Sequence, residues 1–218
     1  MKKILFLFAV TMTSIGIQAQ SLWDTSKPDN TFTFGIRAGI DFATSDTDEA
    51  TSTKTGAHAG ISVDYNLIKS FSLTSGVFYV NKGFRGNYPE IMLADASKAT
   101  ASKLTASYIE IPLQASWRIE APSGVQFHIN VGPYYAYGIG GKAVYKPYDM
   151  TFDRSYDQDT FGDAGFWKHN DYGVIGSLNV LIGKFYAGIG YEYGLADVAK
   201  VYSSFHTRNA NMTIGVNF

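Results

Sequence analysis

Residues 208–218 read RNANMTIGVNF, and their polarity alternates with a period of two. Ala210, Met212, Ile214, Val216 and Phe218 fall on one face; Asn209, Asn211, Thr213, Gly215 and Asn217 fall on the other. Successive side chains of a strand point to opposite faces, so this pattern predicts a strand with one apolar and one polar surface. Seven earlier stretches repeat it: 32–42, 57–66, 71–79, 109–119, 125–132, 171–180 and 185–194. Each is roughly the 9–11 residues that a tilted strand needs to cross a bilayer. No stretch sustains a period of 3.6, which argues against βαβ units.

The connections between these strands alternate in length. Those after the second, fourth and sixth are short, at 67–70, 120–124 and 183–184; those after the first, third, fifth and seventh are long, at 43–55, 82–105, 141–168 and 195–207. The whole pattern predicts an all-β fold, an eight-stranded antiparallel transmembrane β-barrel. An even strand number leaves both termini on one side, with short periplasmic turns and long loops outside the cell. The terminal strand ending in Phe218 then pairs with the first, because a barrel in lipid must leave no open edge.

Alternation alone does not decide which face is inside, since a water-soluble lipocalin-type barrel also alternates. Lysine placement argues for lipid outside. Lys54, Lys69, Lys82, Lys98, Lys103, Lys142, Lys146, Lys168, Lys184 and Lys200 all fall in predicted loops, turns or strand ends. A water-facing strand surface would carry Lys and Glu, whereas here the polar face is mostly Gly, Ser, Thr, Asn and Gln, which suits a narrow, side-chain-filled lumen. Aromatics mark two levels, with Phe32, Tyr65, Phe71, Trp117, Phe127, Phe185 and Phe218 near the periplasmic rim. Phe42, Tyr79, Tyr135, Tyr137, Tyr172, Tyr191 and Tyr193 lie near the outer rim. Two aromatic girdles around an aliphatic band fit the two interfaces of a bilayer.

The N-terminus adds an export signal. Residues 1–19 carry Lys2 and Lys3 ahead of an apolar run and end in IQA, the form of a secretory signal peptide cleaved before Gln20. Residues 20–31 read as a periplasmic lead-in and 32–218 as the barrel domain, so the expected location is the Gram-negative outer membrane. Loss of the leader leaves 16 of the 18 basic side chains against 19 acidic ones, without a basic patch for nucleic acid. The chain has no Cys, which excludes disulfides, thiolate metal sites and a lipid-modified N-terminal Cys.

Four segments carry a family resemblance: 108–113 (YIEIPL), 131–134 (VGPY), 171–176 (DYGVIG) and 190–195 (GYEYGL). Together they resemble the PorT-like outer-membrane β-barrels of Bacteroidetes-type bacteria, over the mature chain from the first strand to the end. Gly190 stands where that family usually has Arg before the Tyr of the last-but-one strand. The resemblance implies a fold and a location at the cell surface. It implies no shared activity, although one subgroup of the family is tied to protein secretion and gliding machinery.

Candidate chemistry is sparse. Arg37, Asp64, Glu110, Arg118, His128 and Glu192 fall on polar faces and are expected to pair as a lumen charge network, because charge in a narrow interior is costly unless compensated. The competing reading of these six is a proton or ion path. Pro112 lacks a donor in mid-strand and should interrupt pairing. His58, His128, His169 and His206 show no metal-ligand spacing, and the acidic stretch 153–163 fails the Ca²⁺-loop pattern, with Phe161 and Lys168 at the fifth and twelfth positions from Asp157. No cofactor is implied.

Ser203, Ser204, His206 and His169 are the only hydrolase candidates, and no spacing joins them. The expectation is a non-enzymatic, monomeric barrel, structural or binding a surface ligand or partner, surrounded by outer-membrane lipid and lipopolysaccharide. The alternatives are small-molecule transport or a place in a secretion complex, and then an outer-membrane lipid hydrolase.

Overall fold

A computed structural model describes residues 23–46, 52–85, 90–92, 98–147, 156–163, 165, 167–200 and 205–218. The signal-peptide stretch 1–19 lies outside the described residues, as do Ser203, Ser204 and the start of the acidic stretch 153–163. The strands are β1 (Phe32–Asp46), β2 (Ser52–Ile68), β3 (Phe71–Arg85), β4 (Glu90–Met92), β5 (Lys98–Glu120), β6 (Val125–Gly140), β7 (Lys142–Pro147), β8 (Tyr156–Asp159), β9 (Asn170–Ile182), β10 (Phe185–Gly194) and β11 (His206–Asn217).

Eight of them close a ring in the order β3, β2, β1, β11, β10, β9, β6, β5, with β5 returning to β3. Every pairing is antiparallel, and β1 meets β11 from Gly35↔Asn217 to Asp46↔His206. The chain thus closes on its own last strand, which removes both edges. Two turns show why the reversals sit where they do. Gly183 (φ 59°) and Gly124 (φ 79°) take left-handed backbone angles that other residues resist, and they stand in the β9–β10 and β5–β6 turns.

The alternation points as lipid requires. Ile36, Ile61, Leu113, Val131 and Ile214 are exposed on the outside, while Ser62, Gln114, Asn130 and Asn217 are buried on the inside. A continuous apolar belt of this kind is foreign to a water-soluble surface but matches hydrocarbon. The rim aromatics Phe32, Tyr65, Phe185, Phe218, Tyr79, Tyr135, Tyr172, Tyr191 and Tyr193 are likewise exposed.

Pro112 interrupts the ladders without shifting them. Pairing of β3 with β5 skips from Ser75↔Leu113 to Phe78↔Glu110 in one register, and the Ser75 hydroxyl donates to the Pro112 carbonyl at 2.8 Å. A side chain thereby replaces part of the lost backbone pairing.

The outer ends differ from the loops expected there. The strand β5 starts ten residues before Tyr108 and carries β4 and β7 as short partners, with β8 on β7. Residues from this extension and from the outer connections bury a common apolar cluster that includes Phe84, Leu104, Tyr108, Phe161, Trp167, Val198 and Phe205. At the opposite rim, residues before β1 strap onto the β2–β3 turn: the Asp24 amide donates to Ser70 Oγ at 2.7 Å and the Lys69 amide to the Ser26 carbonyl at 3.0 Å. The Asp24 carboxylate accepts from Ser26 (2.9 Å), which holds it below the usual carboxylate range.

Candidate functional site

The lumen is built in tiers. Lys82 occupies the outer tier, fully buried, with Nζ 2.7 Å from Glu110 Oε2, 2.7 Å from Glu192 Oε2 and 3.8 Å from Asp171 Oδ2. Its ammonium also stands 4.5 Å from the centroid of the Tyr134 ring, where the negative face of the ring attracts it. Asp171 accepts from Thr207 Oγ1 at 2.9 Å. Asn209 Nδ2 bridges Glu192 (3.1 Å) to Asp41 (3.0 Å), and Asp41 faces His58 Nδ1 at 3.1 Å. The chain of contacts ends where His58 Nε2 meets Thr213 Oγ1 at 3.0 Å. Four strands, β3, β5, β9 and β10, are thus tied together through one ammonium and its carboxylates.

The tier near the periplasm is a separate group. Arg37 donates to the Val216 carbonyl (3.2 Å) and to Asn217, and its guanidinium lies 3.8 Å over the Tyr186 ring. Asp64 accepts from Thr74 Oγ1 at 2.5 Å, Arg118 donates to the Ile68 carbonyl at 2.9 Å, and His128 meets Gln126 at 3.3 Å. Between the tiers lies a cavity of about 90 Å³ lined by Ser62, Thr74, Gln114, Asn130, Ser177 and Asn179 among others. Ligand pockets usually span about 300–1,000 Å³, so this space suits a few waters rather than a nutrient. Ser62 Oγ, Gln114 Nε2 and Asn130 Oδ1 find no protein partner, and water in such a space could bond them.

All six sequence-named residues therefore point inward, but they do not form one ion-paired network. Glu110 and Glu192 pair with Lys82, whereas Arg37, Asp64, Arg118 and His128 are held mainly by carbonyls, hydroxyls and amides. The placement of every lysine outside the strands is corrected as well: Lys82 lies within β3, Lys54 within β2, Lys98 and Lys103 within β5, and Lys142 and Lys146 within β7. The signal for Lys82 was present in the spacing. It keeps the parity of Ser72, Thr74 and Gly76, but the inward Phe78 and Val80 blur the alternation just before it. Asp41 and Asp171 share the inward parity of their strands and belong to the outer tier.

Above Lys82 the apolar cluster fills the outer mouth. Within it, Asp197 Oδ1 accepts from the Phe205 amide (2.9 Å) and the Ala199 amide (3.1 Å). Partial burial pushes the Asp197 carboxyl up, but these two donors together with the nearby Lys168 and His206 hold the group below the usual range. His169 Nδ1 stands 2.6 Å from the Gly138 carbonyl and His206 Nδ1 3.1 Å from the Ala196 carbonyl, so backbone contacts occupy both. Among the described residues, no group of three or more His, Asp or Glu is arranged to hold a metal ion.

Residues 18–200 match the model of the outer membrane protein beta-barrel domain. The chain belongs to this family. As a member of it, the protein is an outer-membrane β-barrel, and its eight barrel strands close into a ring. No curated protein matches it. Similar solved structures include the attachment invasion locus protein Ail of Yersinia pestis, at 12% identity over 87% of this chain and 100% of that one, TM-score 0.45. Neisserial surface protein A is similar at 14% identity over 87% and 98%, TM-score 0.46. The N-terminal barrel domain of Pseudomonas aeruginosa OprF is similar at 10% identity over 87% and 98%, TM-score 0.38.

Proposed function

We propose that the protein is a closed, non-conducting surface barrel whose outer cap and loops bind a ligand or partner protein. One observation carries this reading: the apolar cluster around Phe84, Trp167 and Phe205 sits over the buried Lys82 group, so the outer mouth is filled with side chains rather than open to ions. Water and ions cross neither layer without breaking packed contacts or uncovering a buried charge. In this reading an exported monomer stands in outer-membrane lipid and lipopolysaccharide, uses no cofactor and performs no chemistry. The PorT-like segments favour a partner protein over a transported solute, because the subgroup of that family with a known context works with secretion and gliding machinery.

Planar-bilayer recording on the purified barrel tests the reading. The expected record is silent, apart from brief, irregular events. A steady, large, ion-selective current would overturn it in favour of transport. Deletion of 141–168 should abolish capture of a crosslinked surface partner.

A further inference from the structure

At the end opposite the apolar cap, the barrel keeps an unfilled mouth. A recess of about 230 Å³ opens there, walled by strap residues 28–30 on one side and by Lys184 on another. Its inner end reaches Asp64 and His128, which also line the central cavity. A second recess of about 540 Å³ adjoins it over the β2–β3 and β5–β6 turns, bordered by Asp24 of the strap. Lys69, Arg118, Glu120 and Gln126 line both. Taken together, the two have the size of a site for a small ligand or a few residues of peptide.

Arg118 is fixed where the recesses meet. Its amide donates to the Ser70 carbonyl at 2.8 Å and its Nη2 to the Ile68 carbonyl at 2.9 Å, and its buried Nε has no acceptor among the described residues. Asn66, two residues before Ile68, is 5% exposed. Its Nδ2 donates to the Asn30 carbonyl at 2.8 Å and to Thr33 Oγ1 at 3.0 Å, but its Oδ1 has no donor among the described residues. Residues two apart on a strand stand roughly 7 Å apart. The guanidinium held on the Ile68 carbonyl is therefore a neighbour of the Asn66 amide, and both line the smaller recess. An unsatisfied donor on a cation thus lies close to an unsatisfied acceptor, in a structure where buried polar groups are normally paired. Among the described residues Lys69, Arg118 and Lys184 form no ion pair; Asp64 and Glu120 act on Arg118, and Asp24 feels Lys69, without contact. Residues 1–22, which precede the strap, contain no Asp or Glu.

We propose that this mouth binds the free carboxy-terminal end of a periplasmic peptide, with its α-carboxylate on Arg118 and Lys69 and the adjoining peptide N–H on Asn66. A carboxylate is the partner that a guanidinium holds most strongly, and a peptide terminus brings a donor within a few ångströms of it. An inorganic anion answers Arg118 and leaves Asn66 without a donor. The body of the peptide runs out along the larger recess. The site faces away from the outer cap and does not depend on the reading of that surface.

NMR of the full mature barrel in nanodiscs reads the Arg118 Nε–H signal directly, assigned by its loss in R118K. N-acetyl-trialanine with a free carboxylate should move that signal, and the same peptide amidated at its carboxy-terminus should leave it in place. Followed through the peptide's own signals, R118Q should weaken binding of the acid roughly tenfold and N66A about threefold, as loss of a charge-assisted and of a neutral hydrogen bond. An amidated peptide that moves the signal equally, or an acid that leaves it unmoved at millimolar concentration, would overturn the site. So would a folded R118Q barrel that binds the acid as tightly as the unaltered protein. The comparison of acid with amide is made on the unaltered protein, so it decides the matter even where R118Q does not insert. Phosphate binding as tightly as the acid would overturn the peptide assignment in favour of a general anion site. An amidated peptide with an internal glutamate binding as tightly would overturn the carboxy-terminus in favour of an acidic side chain.

Discussion

Replacing Lys82 by Met should cost the barrel about 3–5 kcal/mol, the range for removing one partner of a buried ion group. The cost is large because the buried ammonium lies 2.7 Å from both Glu110 and Glu192, with Asp171 at 3.8 Å. Three carboxylates would face one another across a narrow interior. Neutralising them should reverse most of the loss, because a wholly uncharged set leaves no uncompensated ion. Urea titration in phosphatidylcholine vesicles measures both effects. K82M should unfold at markedly lower urea, and K82M/E110Q/D171N/E192Q should recover most of the difference. A single variant as stable as the unaltered protein would show that the outer tier does not hold the strands together.

Replacing Ile61 by Arg should cost about 2–4 kcal/mol, the range for a basic side chain deep in the lipid-facing band of a barrel. Ile61 is 63% exposed and stands between Ile36 and Val77 on the neighbouring strands. It lies four residues from the rim residue Tyr65 on the same strand, roughly 10 Å up from the periplasmic girdle at the usual rise and tilt. Thr53, exposed on the extension of the same strand, is the control. Arg there should change stability by less than about 0.5 kcal/mol. The same vesicle titration compares them, and an Ile61→Arg variant as stable as Thr53→Arg would mean that Ile61 does not face lipid.

The two sites differ in how readable they were. A strand between two solvents carries its orientation in its sequence, and Phe185–Gly194 alternates without a break. The reversal at Gly183 was equally plain, because a two-residue turn with a left-handed angle calls for glycine. Past the membrane this constraint lapses. At the start of β5, Leu104, Ala106 and Tyr108 turn inward between Lys103, Thr105 and Ser107, the opposite phase to the outward Ile111 and Leu113, so the stretch does not continue the lipid-facing pattern. The apolar cap was harder still, since Phe84 at the end of β3 and Trp167 and Phe205 from two outer connections meet only in the folded molecule. Within the lumen, parity revealed which side chains point inward. It could not reveal partners, because these depend on the stagger of strands distant in sequence. Lys82 and Glu192 lie on strands that do not pair with each other.

The absence of cysteine allows the orientation of the strands to be read directly with single labels. Spin labels at Ile61, Leu113, Val131 and Ile214, and at their neighbours Ser62, Gln114, Asn130 and Thr213, can be compared in bilayers for collision with dissolved oxygen. Labels at the first four positions should collide freely with oxygen dissolved in the hydrocarbon, and those at the second four should be shielded, giving a period of two along each strand. The opposite phase, or equal accessibility at both sets, would contradict a barrel that turns its apolar side chains to lipid and fills its interior with polar ones.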